Sequence, residues 1–362
     1  MLETLKSAAS ENVAADGFDV EILSVATANP SFVLQQDEAA RRAKDLFPHL
    51  KLLWKLYDNT GIDRRYNCEP IDWYLKPHSW EERTASFQKH ALDLLVDITS
   101  RATRAAGVGL DAIDILVTNT ITGLAIPSLD ARLSNRLKLS PRVERLPIFG
   151  LGCGGGVAGL ARATRLAHAT EGAHVLFLTV DLCSLCLRVN DPSPAMFVST
   201  ALFGDGAAGV MLRNTAGGSH GGPRILAIGE WCWPNTEHIM GWDIKDDGFG
   251  IVLSAELPSL MREALAPALY DFLDRNGFRL SDFNGFLFHP GGRKLIETIQ
   301  DTLDLKPEQF EHSWEVLRQY GNMSSATALF VLDRALKAGA RGRHLLAAFG
   351  PGFSAYFVAA DL

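Results

Sequence analysis

A single cysteine inside a run of glycines constrains the fold of this chain more than any other feature of its sequence. An apolar, extended stretch begins at Pro147, five glycines surround Cys153, and a helical pattern runs from Val157 to about Ala169. This order predicts that Cys153 lies on a tight turn that enters a helix. The unpaired N–H groups at a helix N-terminus stabilise an anion, so the pattern predicts a nucleophilic thiolate with main-chain donors beside it for an oxyanion.

Two other interpretations of the same glycines remain open. Gly150, Gly152 and Gly155 match the G-x-G-x-x-G fingerprint of dinucleotide-binding proteins. With Glu171 as the acidic residue that follows, this would indicate an NAD-dependent oxidoreductase, although the side chain of Cys153 would crowd the pyrophosphate. Alternatively, Cys153 is a buried and inert thiol, because free cysteines are among the most buried residues.

The composition is that of a folded globular protein, and it argues against several classes of partner. The 362 residues are 47% hydrophobic and 21% charged, and their formal net charge of −7 disfavours nucleic acid or an anionic membrane as the main partner. Five cysteines without regular spacing indicate a reducing cytoplasm rather than a disulfide framework. No apolar run approaches the roughly 18 residues of a membrane span. Residues 1–17 resemble neither a signal nor a transit peptide and are expected to form a frayed arm.

Strand patterns alternate with helix patterns along the chain, which is typical of mostly parallel sheets covered on both faces. The glycine-rich residues 214–223 form the clearest linker. They divide the chain into an N-terminal half, 1–213, and a C-terminal half, 224–362, that repeats the first in outline. The expected strands are 20–27, 113–120, 173–180, 207–212, 225–228, 285–288, 344–349 and 355–360, and the expected helices are 36–46, 82–106, 130–139, 157–169, 258–276, 313–320 and 324–338.

Two further residues are candidates for chemistry with Cys153. His289 follows directly after a predicted strand, and in open α/β sheets the ligand crevice lies beyond the carboxyl ends of the strands. Asn322 lies between two predicted helices and would supply a neutral donor to a thioester carbonyl. The alternatives are a hydrogen-bonded core histidine and an asparagine that only caps a helix.

Two other groups of residues favour ordinary structural roles. Cys183 and Cys186 form a C-x-x-C in an apolar, apparently β-type segment, and we expect them to line a pocket or the core rather than to bind metal. A basic cluster is interpreted as a solvated face, or else as the landing site of a phosphate-bearing ligand. Its members are Lys51, Lys55, Arg64 and Arg65.

Five motifs, taken together, resemble the type III polyketide synthases of the chalcone synthase superfamily. In chain order they are Cys153 in its glycine run, FGDGAA from Phe203, HPGG from His289, GNMSSA around Asn322 and FGPGF at 349–353. The resemblance implies an α/β protein of the thiolase fold, in which two pseudo-repeated βα halves form a five-layered αβαβα arrangement. It also implies a homodimer that uses CoA thioesters and needs no metal, no other cofactor and no carrier-protein arm.

The resemblance assigns a catalytic role to three residues. Cys153 would attack an acyl-CoA starter and hold the growing chain as a thioester. His289 would stabilise the thiolate and, with Asn322, bind the carbonyl of malonyl-CoA, so that decarboxylation gives a stabilised enolate. The enolate carbon would then attack the Cys153 thioester and extend the chain by two carbons.

The same resemblance suggests which residues bind substrate. Phe203 would be the aromatic residue between the CoA tunnel and the cavity, Gly352 belongs to the loop that shapes the cavity wall, and Lys55 would meet the CoA phosphates. The expected cavity lining is Cys186, Leu185, Ile121 and Ile251, with Ser324 next to Asn322.

The type of lining indicates the type of starter. Plant chalcone-forming members have threonines where Cys183 and Cys186 stand, so the lining here is smoother and more apolar and favours an alkyl chain. The chain therefore resembles bacterial members that make alkylpyrones or alkylresorcinols from long-chain fatty acyl-CoA. Two rivals share the fold: an initiating β-ketoacyl-ACP synthase, which usually has His-Gln-Ala-Asn where this chain has HPGG, and a catalytically silent scaffold.

Overall fold

The structure is a computed structural model that describes residues 18–215 and 221–362. The arm expected over 1–17 and the central part of the expected linker, 216–220, lie outside the described residues. The strands are β1 Val20–Ala28, β2 Phe32–Gln35, β3 Arg64–Asn67, β4 Ile115–Thr120, β5 Glu144–Phe149, β6 His174–Leu182, β7 Asp205–Asn214, β8 Arg224–Cys232, β9 Met240–Lys245, β10 Gly248–Leu253, β11 Gly285–Phe288, β12 Arg343–Gly350 and β13 Ser354–Asp361.

The helices are α1 Gln36–Leu46, α2 Ile71–Tyr74, α3 Trp80–Ala106, α4 Leu129–Leu137, α5 Gly155–Ala169, α6 Pro194–Leu202, α7 Leu257–Arg275, α8 Arg293–Leu303, α9 Glu311–Tyr320 and α10 Ala326–Lys337. Short 3-10 segments add Pro48–Asn59, Leu110–Ala112, Gly152–Gly154, Cys183–Cys186, Leu280–Asp282 and Pro307–Phe310. All of the strands and helices expected from the sequence are present, with ends shifted by a few residues.

The central sheet has nine strands in the order β11-β12-β13-β8-β1-β7-β6-β4-β5. Within the described residues, parallel pairing is confined to β4 with β5, β4 with β6, and β11 with β12. The prediction of mostly parallel sheets is therefore wrong. Strands that are buried on both faces read as continuous apolar runs in either direction, so hydrophobicity alone could not distinguish the two kinds of pairing.

The two sides of this sheet enclose a central pair of helices. Only one residue pair, Glu21 with Arg224, joins β1 to β8, so the sheet divides there into two parts. Helices α5 and α10 pack against strands of both parts, whereas α3 covers the outside of β1, β6 and β7, and α7 covers the outside of β8 and β13. The expected five-layered αβαβα arrangement is confirmed.

Helix α3 illustrates how local sequence defines these layers. Ser79 and Glu82 form a capping box at its start, in which Ser79 Oγ accepts from the Glu82 N–H at 3.2 Å and Glu82 Oε2 accepts from the Ser79 N–H at 2.8 Å. The helix ends at Gly107, whose φ of 67° suits glycine. Its buried stripe recurs at helical spacing and includes Phe87, Ala91, Leu95, Ile98 and Ala102.

The glycines of α5 allow the central layer to pack closely. A Cβ atom on Gly156 would lie 2.1 Å from the carbonyl oxygen of Ser325, at the start of α10. A Cβ atom on Gly159 would lie 2.2 Å from the ring of Phe177 in β6. The glycine run is therefore required by helix–helix and helix–sheet contact as well as by the turn at Cys153.

Across residues 18–215 and 221–362, no helix combines the length and the apolar character that crossing a bilayer requires.

We predict that Gly156→Ala lowers the free energy of unfolding by about 1–3 kcal/mol, because the methyl group forces α5 and α10 apart. Gly241→Ala is the matched control, since no atom lies within 4 Å of its Cβ position; its stability should stay unchanged or rise by up to about 1 kcal/mol. Urea unfolding followed by circular dichroism measures both. Equal stabilities for the two variants would contradict the close packing.

Candidate active site

Cys153 lies on the turn between β5 and α5. After β5, Gly150 and Gly152 have φ values of 99° and 50°, which glycine adopts without steric cost. The turn closes where the N–H of Gly154 donates to the carbonyl oxygen of Leu151 at 3.1 Å. Cys153 is thus at the entrance of a helix, as the sequence predicts, and its side chain is partly exposed.

The space that these glycines leave open is filled by the protein itself. A Cβ atom on Gly152 would lie 2.4 Å from Pro351, and one on Gly154 would lie 2.4 Å from the ring of Tyr356. Both contacts come from the C-terminal FGPGF loop and the strand that follows it. The glycine run therefore accommodates a neighbouring loop, which removes the structural basis for the dinucleotide interpretation.

His289 extends from the end of β11, where its N–H donates to the carbonyl oxygen of Ala347 at 2.7 Å. Its side chain is buried, with 2% of its surface exposed. Neither ring nitrogen has a hydrogen-bond partner within the described part of the chain. The ring lies against Gly291, whose Cβ position is 3.6 Å from Nε2. A buried imidazole with both nitrogens unpaired is costly, so this geometry points to a ligand that supplies the partners.

Asn322 connects the histidine side of the site with the cysteine. Its Nδ2 donates to the carbonyl oxygen of Gly291 at 3.2 Å and lies 4.0 Å from Cys153 Sγ. Its Oδ1 accepts from the N–H of Ser324 at 2.8 Å and lies 3.9 Å from the same sulfur. The Ser324 hydrogen bond fixes the amide orientation, so the NH₂ group faces Gly291, and both ends of the amide lie at similar distances from the sulfur.

Phe203 is held opposite Asn322 by paired main-chain hydrogen bonds. The Asn322 N–H donates to Leu202 O at 2.9 Å, and the Gly204 N–H donates to Asn322 O at 2.9 Å. The predicted aromatic residue at the cavity entrance thus lies directly beside the predicted amide donor.

The basic cluster, interpreted as a solvated face or a phosphate landing site, does not form one surface. Arg65 is fully buried, and its Nη1 donates to the carbonyl oxygens of Thr200 at 2.6 Å and Phe203 at 3.2 Å. It therefore supports the backbone beside Phe203 and is not available to a phosphate. Lys51 and Lys55 are exposed on the 3-10 segment that precedes β3.

The FGDGAA motif contains a buried carboxylate that organises a neighbouring loop. Asp205 accepts from the N–H groups of Cys68 and Ser184, both at 2.8 Å, and from Ser184 Oγ at 2.5 Å. Burial raises the pKa of Asp205 to about 6. These hydrogen bonds hold Ser184 next to Asp205. The segment from Cys183 to Cys186 folds as a 3-10 turn, so the expected β-type conformation is wrong.

Asp181 is a buried residue near the site that the sequence did not single out. It accepts from the N–H groups of Ile121 at 2.8 Å and Ser325 at 3.0 Å, and from Ser325 Oγ. Burial raises its pKa, and its charge in turn opposes ionisation of Cys153. The only sequence signal was a lone acid near the end of a strongly apolar strand.

The remaining residues that were predicted to bind substrate lie at different distances from the cysteine. Ile121 borders the Cys153 turn, since its Cδ1 is 3.6 Å from the Cβ position of Gly152. Ser324 is buried, and its side chain acts to lower the pKa of the Cys153 thiol. Gly352 has a φ of 70° and no atom within 4 Å of its Cβ position, so it leaves open space.

The other predicted lining residues lie further out. The Sγ of Cys186 is 3.8 Å from the carbonyl oxygen of Thr122. Leu185 is part of the apolar core beneath α3, and Ile251 packs with the cluster formed by α1 and α6. Lys55 lies apart from the cavity residues, exposed to solvent.

Burial determines the resting protonation of the two reactive groups. Burial raises the pKa of the Cys153 thiol to about 11, although hydrogen bonds from Ser324 and Asn322 oppose this rise. Burial lowers the pKa of His289 to about 3. Burial thus opposes ionisation of both groups, whereas the helix N-terminus favours the thiolate that the sequence predicts.

The described residues, 18–215 and 221–362, contain no group of three or more His, Cys, Asp or Glu side chains arranged to hold a metal ion.

Comparison with known families decides the class of the protein. The family model for the N-terminal domain of chalcone and stilbene synthases matches residues 7–215, and the model for their C-terminal domain matches residues 227–358. The chain belongs to the chalcone and stilbene synthase family. It is a type III polyketide synthase, an enzyme of the acyltransferase type, and the cysteine, histidine and asparagine lie in its two matched domains.

Bacterial relatives agree with this assignment. The synthase is 33% identical over 358 residues to a putative chalcone synthase of Bacillus subtilis. The match covers 92% of this chain and 96% of the relative. It is 40% identical over 316 residues to a 1,3,6,8-tetrahydroxynaphthalene synthase of Streptomyces peucetius. This match covers 85% of this chain and 82% of the relative. The structure also resembles the crystal structure of the 1,3,6,8-tetrahydroxynaphthalene synthase of Streptomyces coelicolor, a bacterial type III polyketide synthase. The two superimpose with a TM-score of 0.89 at 30% identity, and the match covers 94% of this chain and 99% of that one.

The raised thiol pKa predicts how alkylation of Cys153 depends on pH. Since the thiolate fraction grows as pH rises toward the pKa, the rate of carbamidomethylation by iodoacetamide should increase about tenfold per unit between pH 6 and 9. Peptide mass mapping of timed reactions measures this rate at Cys153, and the Cys153→Ser protein confirms the assignment. A rate that is constant over this range would indicate a resting thiolate and would contradict the prediction.

Proposed function

We propose that this synthase condenses a long-chain fatty acyl-CoA starter with malonyl-CoA units and cyclises the product to an alkylpyrone or an alkylresorcinol. The observation that carries the proposal is the buried imidazole of His289, unpaired within the described chain and linked through Gly291 and Asn322 to a partly exposed thiol. This arrangement suits a thioester carbonyl, whose oxygen can accept hydrogen bonds from both the His289 ring and the Asn322 amide.

The first step is transfer of the starter to the enzyme. Cys153 Sγ attacks the thioester carbon, and its proton passes to the neutral imidazole of His289. A new carbon–sulfur bond forms to Cys153, the bond to CoA breaks, and the CoA thiolate takes the proton back from His289. Because burial opposes ionisation of both groups, the proton transfer must accompany the attack, when the negative charge that develops on the thioester oxygen stabilises the imidazolium of His289.

The second step is decarboxylation of malonyl-CoA. The N–H of the neutral His289 ring and the NH₂ of Asn322 donate to the thioester carbonyl oxygen. The carbon–carbon bond to the carboxylate breaks, CO₂ leaves, and the electron pair moves into an enolate that these two donors stabilise. The enolate carbon then attacks the Cys153 thioester, which extends the chain by two carbons and releases the thiolate.

The lining residues support an alkyl starter. Ile121, which borders the cysteine turn, and Cys186 are buried and apolar, and they offer no charged group to a hydroxylated ring. An alkyl chain needs only such a surface, whereas each buried hydroxyl would need a hydrogen-bond partner. Lys55, exposed on its 3-10 segment, is the proposed contact of a CoA phosphate.

One alternative product has a specific observation in its favour. The relative with 40% identity is a tetrahydroxynaphthalene synthase, and that product carries no alkyl chain. Assembly of the product from malonyl-CoA alone is therefore the second candidate function.

We also propose a homodimer that works in the cytoplasm with CoA thioesters and no further cofactor. β5 is an edge strand of the sheet, and its last residue, Phe149, is 49% exposed, as is 93% of Ile126 in the loop before α4. Pairing with a second copy would cover this edge. The cysteines, all five of them in the described ranges, are free thiols, which supports a reducing compartment.

The product is identified by incubating the purified protein with malonyl-CoA and acyl-CoA starters from acetyl to stearoyl, followed by mass spectrometry. We expect pyrones or resorcinols that carry the alkyl chain of long starters. A naphthalene product from malonyl-CoA alone, with no incorporation of any long starter, would favour the alternative and contradict the alkyl proposal.

The catalytic roles predict which step of the reaction each of three variants loses. Cys153→Ala should abolish condensation, whereas His289→Ala and Asn322→Ala should each reduce CO₂ release from malonyl-CoA by about 100-fold or more, because each removes one donor from the enolate. His238→Ala, at an exposed histidine, is the matched control and should behave as wild type. Wild-type rates of CO₂ release from both His289→Ala and Asn322→Ala would refute these roles.

A further inference from the structure

Helix α6 ends directly before Phe203, and the side chain of Arg65 binds this end. A helix leaves its last carbonyl groups without partners inside the helix, and its aligned peptide dipoles make this end negative. The Nη1 of Arg65 donates to the carbonyl oxygen of Thr200 at 2.6 Å and to that of Phe203 at 3.2 Å. The guanidinium therefore satisfies two carbonyl groups and places a positive charge where the helix is negative.

The two carbonyl groups between these have partners from other elements. The side-chain Nε2 of Gln36, at the start of α1, donates to the carbonyl oxygen of Ala201 at 3.0 Å. The main-chain N–H of Asn322 donates to the carbonyl oxygen of Leu202 at 2.9 Å. Four consecutive carbonyl groups are thus held from outside the helix, so the end of α6 cannot shift without breaking a hydrogen bond to Asn322 or to its neighbours.

Two glycines leave room for the stem of Arg65 at the same place. Gly204 follows Phe203, and Gly321 precedes Asn322. A Cβ atom on Gly204 would lie 3.3 Å from the Cβ of Arg65, and a Cβ atom on Gly321 would lie 2.8 Å from its Cγ. The stem therefore packs across both main-chain segments beside the bridge that pairs Phe203 with Asn322.

The burial of Arg65 indicates that its hydrogen bonds matter more than its volume. The residue is 1% exposed, and within the described ranges neither its Nε nor its Nη2 has a hydrogen-bond partner. Burying a cation in this way costs free energy. An apolar side chain of the same length would fill the space without that cost, but it would leave the carbonyl oxygens of Thr200 and Phe203 without this donor. The distinctive contribution of the arginine is therefore its hold on the end of α6.

We propose that Arg65 is a positioning residue for the decarboxylation of malonyl-CoA, because its hold on the end of α6 keeps the amide of Asn322 where it donates to the thioester carbonyl. This inference rests on the proposed function, which assigns that donor role to Asn322. Arg65 acts through the main chain beside Phe203 and not on the substrate itself. Cys153 belongs to a different element, the turn before α5, so transfer of a starter to its sulfur should not depend on Arg65.

The test separates decarboxylation from acylation. For wild type, Arg65→Met and Arg65→Lys, the kcat and KM of CO₂ release from malonyl-CoA are measured. Acylation of Cys153 by acyl-CoA starters from acetyl to stearoyl, without malonyl-CoA, is followed by intact-protein mass spectrometry, and urea unfolding gives the folded fraction. Arg101→Met is the matched control, since Arg101 also donates to a main-chain carbonyl oxygen, that of Thr27, but from the outer helix α3.

We expect Arg65→Met to lower kcat for CO₂ release by about 10- to 100-fold, because a displaced donor stabilises the enolate less. Its KM for malonyl-CoA and its rate of acylation should stay within about twofold of wild type, since the lost interaction acts in the transition state. Arg65→Lys retains a cation and a donor, so its kcat should lie between the two. Arg101→Met should behave as wild type.

The proposal is overturned if Arg65→Met keeps the wild-type kcat, or if kcat and the acylation rate fall by the same factor, as a general loss of folded protein would produce. If Arg65→Met does not fold, the same two criteria are applied to Arg65→Lys. A wild type that releases no CO₂ would overturn both this inference and the proposed function. A selective loss of kcat in Arg65→Met, with no alkylpyrone or alkylresorcinol from the wild type, would uphold the inference while refuting the proposed product.

Discussion

The contact between the two central helices is the constraint on which the site depends. Gly156 in α5 lies so close to the carbonyl oxygen of Ser325, at the start of α10, that no side chain fits between them. This approach brings Cys153, which directly precedes α5, within 4.0 Å of Asn322, which lies four residues before α10.

The electrostatics of the site follow from the same close packing. His289 is buried and Cys153 is only partly exposed, and desolvation opposes the ionisation of both groups. Neutrality suits a reaction in which charge appears only when substrate binds, because fixed donors stabilise an enolate most strongly when no resident ion competes for them. Asp181 accepts from main-chain and hydroxyl donors, and its charge adds to the desolvation that opposes ionisation of the thiol.

Much of this arrangement could be predicted from the sequence, and the failures have physical causes. The long strands and helices have strong periodicity, and the motifs around Cys153, His289 and Asn322 are local, so all of them were recognised. The direction of strand pairing was not, because apolar strands buried on both faces carry no directional signal. Arg65 was taken for a surface residue, since its burial depends on Thr200 and Phe203, which are distant in sequence.

Neither the effect of burial on the pKa of the thiol nor the position of the β9–β10 hairpin could be predicted from the sequence. A helix N-terminus can be identified from its pattern, but the desolvation that opposes it depends on how much of the folded protein surrounds the sulfur. Strands β9 and β10 contain none of the motifs recognised in the sequence, and the hydrogen bond from Trp242 in β9 to Ile121 spans 121 residues. Such contacts become visible only when the distant segments are seen side by side.

The separation of the reactive groups along the chain has a consequence for biosynthesis. Cys153 and Asn322 are 169 residues apart, and the two parts of the sheet meet through a single residue pair. A ribosome that has completed only the first part of the sheet has made a thiol without its donors. Acyl transfer can therefore begin only once the end of the chain has emerged and folded back, which delays the chemistry until synthesis is complete.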